Sequence, residues 1–465
     1  MSNDNSAEMN TSAPTTEIGS AEQLRGPNYF PPLAVAIPLG IQHVLAMFVS
    51  NVTPAIIIAG AAGFGFGSNS ADFPSMIYMM QMCMLLAGVT TLLQTISIGP
   101  VGAKLPIVQG TSFAFIPIIV PLVAGKGVDA MAAVTGGILV GGLLQASLAP
   151  FIGRLRFALP PLVTGLIVTM IGFSLLKVGI QYAAGGVPAI GTPEFGSLQN
   201  WSVASVVIIV TLGLKFYTKG ALSVAAILLG LIAGYAVAFM LGMVNFDSIA
   251  KAAPFALPKV FPFGVEFTSS AIVGITLMSF ISAIETVGDV SGITKGGANR
   301  EATDKEMQGA TYADGLGSSF SSIFGGLPNT SFSQNVGLIA MTGVMSRHVA
   351  TIGALFLIIC GLIPKIAALI STVPIEVLGG GVIIMFGMVA SAGVKMLSDV
   401  DWSSRNMIIF AVSISLGLGF MLEPAALQHL PATVKALMST GLLPAAFFAI
   451  VLNLVIPEDI NDIAK

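Results

Sequence analysis

With 55% hydrophobic and only 9% charged residues, this 465-residue chain has too little polar surface to cover water-soluble domains, which carry roughly 25% charged residues. A mean hydropathy of +0.92, sustained from Leu33 to Ile456, reads as one membrane-embedded unit. The 22 acidic residues nearly balance the 19 basic ones, so no charge excess points to nucleic acid as a partner.

Residues 1–32 are polar and carry Asp4, Glu8, Glu17 and Glu22 against Arg25. That is the opposite of a basic signal-peptide start, and the expectation is a disordered cytoplasmic tail. Polar and Gly/Pro punctuation then divides the chain into about fourteen candidate spans, each near the ~20 residues that cross a bilayer. They are 33–60, 72–98, 104–124, 128–150, 159–181, 201–216, 221–244, 266–290, 308–325, 328–345, 348–371, 373–398, 405–424 and 431–456. The third, ninth and tenth are weak as continuous helices. With the N-terminus inside, eleven Lys/Arg fall in inside loops and five in outside loops. This bias predicts cytoplasmic N- and C-termini, the latter as a tail over 457–465. Cys83 and Cys360 both lie in apolar runs and read as buried small hydrophobes, not a disulfide framework.

The two halves echo each other. Thr111-Ser112-Phe113 matches Thr330-Ser331-Phe332, and Pro160 to Gly165 matches Pro374 to Gly379. Met170-Ile171-Gly172 matches Met385-Phe386-Gly387, and these pairs lie 219, 214 and 215 residues apart. Seven spans per half is an odd number, so the second copy inserts upside down relative to the first, an arrangement common in transporters. The expected architecture is an all-α polytopic membrane protein, a 7+7 inverted repeat divided at 33–244 and 245–456. Its third and tenth segments do not read as regular helix. Leu327 to Asn335 is polar, contains Pro328 and alternates before an apolar helix begins near Val336. Extended backbone at membrane depth is tolerated only where protein buries it or it lines a cavity. Segments 106–114 and 328–334 are therefore expected to meet as two short strands, each followed by a half-helix whose amide end faces a substrate site.

Ionisable residues inside spans mark function or a buried pair. Glu285 and Asp289 are four apart and share a helix face; in a low-dielectric medium they are not both comfortably ionised. Asp314 is the third such acid. The plainer reading of each is an ion pair or a helix end facing a loop. His43 is the histidine well inside a span and reads equally as a packing residue or a site residue. Gln334 and Asn335 each offer a donor and an acceptor for a heterocycle edge, or simply cap the following half-helix. An intramembrane enzyme is disfavoured, because the chain has no His-Glu-x-x-His and no zinc-like cysteine cluster.

The run Gln334-Asn335-Val336-Gly337 through Thr342-Gly343 resembles the signature of the nucleobase–ascorbate transporter family. Gln42-His43, Glu285, Asp314 and Ser331-Phe332-Ser333-Gln334 resemble further family landmarks in the same order. The resemblance implies a core domain and a gate domain moving as an elevator, often as a homodimer in the inner membrane. It also implies proton symport, with the proton gradient as energy source and no cofactor or metal. Glu285 and Gln334 would be the main purine-binding pair. Asp314 would be an essential polar partner, while Asn335 and His43 would shape affinity and specificity. Asp289 matches an acidic position of the purine branch. Phe113 would pack on the ligand ring, and backbone around Phe332-Ser333 would contact it. Gln334 favours an oxidised purine. Val336 and the small Ser112 resemble urate carriers, whereas Phe48 to Ala55 and Ile171 to Ile180 resemble the xanthine branch, so both purines stand. Uracil permeases and anion transporters of the same architecture are the alternatives.

Overall fold

A computed structural model describes residues 19–65, 70–155 and 160–457. Expectations for residues 1–18 and 458–465, and for Arg156, fall outside these described residues. The first half contains α1 (Ala21–Arg25), α2 (Leu33–Ala62), α3 (Phe73–Ile96), strand β1 (Gln109–Thr111), α4 (Ile116–Val123) and α5 (Met131–Leu148). It continues with α6 (Ile152–Leu155), α7 (Pro161–Ala183), α8 (Leu198–Tyr217), α9 (Ala221–Val224), α10 (Ala226–Met240) and α11 (Asp247–Lys251). The second half contains α12 (Ser269–Ala298), α13 (Asp304–Ile323), strand β2 (Asn329–Ser331), α14 (Ser333–Thr342) and α15 (Arg347–Leu362). It ends with α16 (Pro364–Ser371), α17 (Ile375–Leu397), α18 (Ser404–Leu422), α19 (Ala432–Met438) and α20 (Leu442–Val455).

Among the described residues, eight helices are long and apolar enough to cross a membrane, or nine if α15 and α16 form one span. That last pair is bent by 81°, so segment 348–371, expected as one span, is broken at Pro364, whose ring cannot continue a helix. Three shorter apolar helices lie at Phe113–Val123, Ala226–Met240 and Leu442–Val455. Two other expectations are corrected. The ninth segment is a continuous helix, opened by a capping box between Thr303 and Glu306. Its small residues explain why: a Cβ on Gly315 would lie 2.6 Å from the Gly142 carbonyl of α5, so the two helices pack backbone to backbone. Helix α12 runs to Ala298, beyond the expected end at 290, and stops on Asn299 in the left-handed conformation (φ 51°).

Packing sorts the helices into two groups. Helices α2 to α5 pack with α12 to α15, and α7, α8 and α10 pack with α17, α18 and α20. Contacts correspond across the halves: α3 with α15 matches α13 with α5, and α2 with α15 matches α12 with α5. Lengths correspond too, with 30 residues in α2 and α12 and 23 in α7 and α17.

The two strands expected from the sequence pair antiparallel, with Gln109 opposite Ser331, Gly110 opposite Thr330 and Thr111 opposite Asn329. Their outer edges face helices, so side chains complete the hydrogen bonding that an apolar setting demands. The Thr91 hydroxyl accepts from Gln109 N–H (2.9 Å), and Asn51 Oδ1 accepts from Thr111 N–H (2.8 Å). On β2, the Ser318 hydroxyl accepts from Asn329 N–H (2.9 Å) and donates to the Asn329 carbonyl (3.1 Å). Gly110 lets the pair close, since a Cβ there would sit 2.4 Å from the Phe332 ring and 2.6 Å from Met47 Cε.

Residues 19–32, expected within the disordered tail, are structured. The Leu24 and Pro27 carbonyls accept from Met345 N–H (2.8 Å) and Arg347 N–H (2.9 Å). The Ser346 hydroxyl donates to the Tyr29 carbonyl (2.5 Å). Arg347 donates to Asn28 (2.9 Å) and to the Thr95 carbonyl of α3 (2.7 Å). The segment thus straps the α14–α15 connection, whose Arg347 in turn reaches α3. Gly110→Val is expected to cost about 1–3 kcal/mol through overpacking, read as a lower unfolding temperature of the detergent-purified protein.

Candidate functional site

The strand pair and the starts of its two half-helices form one wall of a cavity of about 160 Å³. Six of the residues expected at the site line it: Ser112, Phe113, Glu285, Phe332, Ser333 and Gln334. The opposite wall is apolar and comes from the second helix group, with Val168 and Ile171 of α7 and Met388, Val389 and Ala392 of α17. The cavity therefore sits where the two groups meet. Phe113 meets Phe386 of α17 edge to face, with ring centroids 5.3 Å apart, so the two rings join the two groups beside the cavity.

Each strand leads into a helix start beside this cavity. Ser112 caps the 3-10 turn Phe113–Phe115 that opens α4, its hydroxyl accepting from Ala114 N–H (3.3 Å). Helix α14 begins at Ser333 without a side-chain cap, so neither Gln334 nor Asn335 serves as one. Its first-turn amides point toward the strand break, where partial positive charge collects.

The remaining four expected residues stand behind the wall. Asn335 is fully buried, and its amide donates to His43 Nδ1 (2.8 Å) and to the His43 carbonyl (3.2 Å), tying α14 to α2. Asp289 accepts from the hydroxyls of Ser331 (2.6 Å) and Ser333 (2.7 Å), holding both sides of the second break. Asp314 accepts from the amides of Gln109 (2.6 Å) and Gln94 (3.0 Å) and from the Thr286 hydroxyl. Glu285 differs from both: its buried Oε2 has no hydrogen-bond partner. Among the described residues the ion pairs are Lys295–Glu301 and Arg300–Glu306, so none of the three carboxylates has a cationic partner. No group of three or more His, Cys, Asp or Glu among those residues is placed to hold a metal.

Several supporting side chains escaped the sequence reading: Asn51, Thr91, Gln94, Gln109, Thr286 and Ser318. Their common signal is a polar side chain in an apolar run, which burial costs unless a partner is provided. Val168 and Met388 carried no signal at all, being apolar residues in apolar helices.

An unwound, strand-paired polar site enclosed by apolar helices defines a membrane permease, not an enzyme, and the chain is a multi-pass membrane protein. The chain belongs to the nucleobase–ascorbate transporter family: the profile described as "Permease family" matches residues 35–426. The Xanthine permease of Bacillus subtilis (strain 168) is 34% identical over 424 residues, spanning 90% of this chain and 93% of that protein. Uric acid permease PucJ of the same organism is 34% identical over 420 residues, spanning 90% and 91%. The transmembrane domain of the cyanobacterial bicarbonate transporter BicA shares the fold, with a TM-score of 0.54, 14% identity, and coverage of 91% of this chain and 97% of that one.

Asp289→Ala strands the buried Ser331 hydroxyl and frees that of the more exposed Ser333, whereas Asp289→Asn keeps an oxygen acceptor beside them. The alanine variant is expected to lose about 1–3 kcal/mol and the asparagine variant distinctly less, compared by thermal unfolding of the purified proteins.

Proposed function

We propose that this protein imports an oxidised purine, xanthine or urate, by proton symport across the inner membrane. The observation that carries the reading is Glu285, which lines the same cavity as Gln334 and whose buried Oε2 has no hydrogen-bond partner. A carboxylate accepts from purine N–H groups, and an amide pairs with an adjacent C=O and N–H. Phe113 and Phe332 supply apolar faces for a flat bicyclic ring, and Ser112 and Ser333 supply small polar contacts. A proton on Glu285 lets the loaded site cross without an uncompensated buried charge. Coupling depends also on Asp289, Asp314 and His43, and Asn335 tunes affinity through His43. The relatives named for xanthine and uric acid support the substrate class.

The fourteen segments form two inverted repeats, 33–244 and 245–456, with both termini cytoplasmic. Corresponding helix lengths and packing pairs support this division. Helices α2 to α5 and α12 to α15 make a core that moves as an elevator against a gate of α7, α8, α10, α17, α18 and α20, within a homodimer. The proton gradient supplies the energy, and no cofactor takes part.

Radiolabelled xanthine and urate uptake, with and without a protonophore, tests the reading. Saturable accumulation that collapses with the protonophore is expected. Glu285→Gln removes the charge and turns one carboxylate oxygen into an N–H donor, which is expected to weaken apparent affinity by about tenfold or more and to uncouple uptake from pH. Uracil outcompeting both purines, or full activity in Glu285→Gln, would overturn it.

A further inference from the structure

Asp314 is fully buried and does not line the cavity. Whatever it does to the transport site passes through the side chains that touch it. Of its three donors, Gln94 belongs to α3, Thr286 to α12 and Gln109 to β1. Thr286 adjoins cavity-lining Glu285, but α12 holds its own backbone by helical hydrogen bonds, whereas β1 is extended and runs directly into cavity wall at Thr111, Ser112 and Phe113. Gln109 is gripped at both ends, its main-chain N–H by Thr91 (2.9 Å) and its side-chain amide by Asp314 (2.6 Å). Gln94 donates to the same carboxylate oxygen, Asp314 Oδ1 (3.0 Å). Its amide nitrogen also donates to the Ala310 carbonyl (3.1 Å), and its Oε1 accepts from Ala103 N–H (3.3 Å). Both glutamines are fully buried, and neither lines the cavity.

The shell around Asp314 thus consists of donors, which suits an acceptor-only carboxylate making charge-assisted bonds. Glu285, which lines the cavity and whose buried Oε2 has no partner, is built the opposite way. We infer that Gln109 is the positioning residue through which Asp314 acts on the transport site. Asp314 clamps strand β1, Gln94 fixes the clamp, and neither meets substrate nor exchanges the transported proton. The activity readout rests on the purine-carrier reading above, so the test carries a second readout that does not.

The full-length chain is expressed with Gln109→Leu, with Gln109→Glu, and with Gln109→Glu combined with Asp314→Asn. Xanthine and urate uptake is measured across pH and normalised to protein in the membrane. Gln109→Leu is expected to raise the half-saturating concentration by about tenfold. Gln109→Glu alone sets two carboxylates face to face, so uptake survives only at acidic pH, where the pair shares a proton. The combined change reverses the hydrogen bond and restores uptake at neutral pH, which no variant of a proton-exchanging acid would do. The second readout is the rate of maleimide labelling at Ser112→Cys in the cavity wall, expected to change when Gln109→Leu is added. Unchanged labelling and unchanged half-saturation in Gln109→Leu overturn the clamp. If Gln109→Leu fails to reach the membrane, the reversed pair decides: inactivity at every pH overturns the clamp as well. If wild-type protein takes up neither purine while Gln109→Leu still changes labelling in the Ser112→Cys background, the substrate assignment falls and the clamp stands.

Discussion

A backbone that leaves helical geometry inside an apolar medium must find a partner for every N–H and C=O it frees. The rest of this molecule depends on how that demand is met at β1 and β2. The strands satisfy each other on their inner edges, with Ser112 N–H to the Pro328 carbonyl and Phe332 N–H to the Val108 carbonyl. Thr91, Asn51 and Ser318 satisfy the outer edges. Three of the helices neighbouring the pair thus contribute one polar side chain each to the strand backbone. Those contributions lock α2, α3 and α13 around the site.

The same demand explains the placement of the acids. Asp289 and Asp314 each hold a different strand, through hydroxyls in one case and an amide in the other. Glu285, one turn before Asp289 on α12, reaches the cavity instead. Three carboxylates close in sequence position or space thereby divide into two that organise backbone and one that remains available to a ligand.

Much of this was legible in the sequence. Pro328 and the polar alternation through Asn335 mark a segment that cannot be membrane helix, and the echo at Thr111-Ser112-Phe113 marks its counterpart. Glu285 and Gln334 stand out because charged and amide side chains are costly in spans. The sequence misleads where small residues decide packing: α13 reads as a weak helix from its serines and glycines, yet those residues are what allow its close contact with α5. Nor does spacing reveal that Asn335 turns away from the cavity to His43, because a one-residue step on a helix swings a side chain by about 100°. The ordered strap at residues 19–32 was hidden by its composition, since Leu24, Pro27 and Tyr29 contribute mainly backbone carbonyls to it.

The register of the strand pair also bears on how the molecule is made. Gln109 finds Ser331 across half the chain, and the Leu24 carbonyl finds Met345 N–H across most of it. Contacts so distant form late, because the intervening chain must close on itself first. During synthesis the first half therefore enters the bilayer with its polar segment unpaired. Completion waits for the second half, and the cavity beside the strands is among the last features of the molecule to exist.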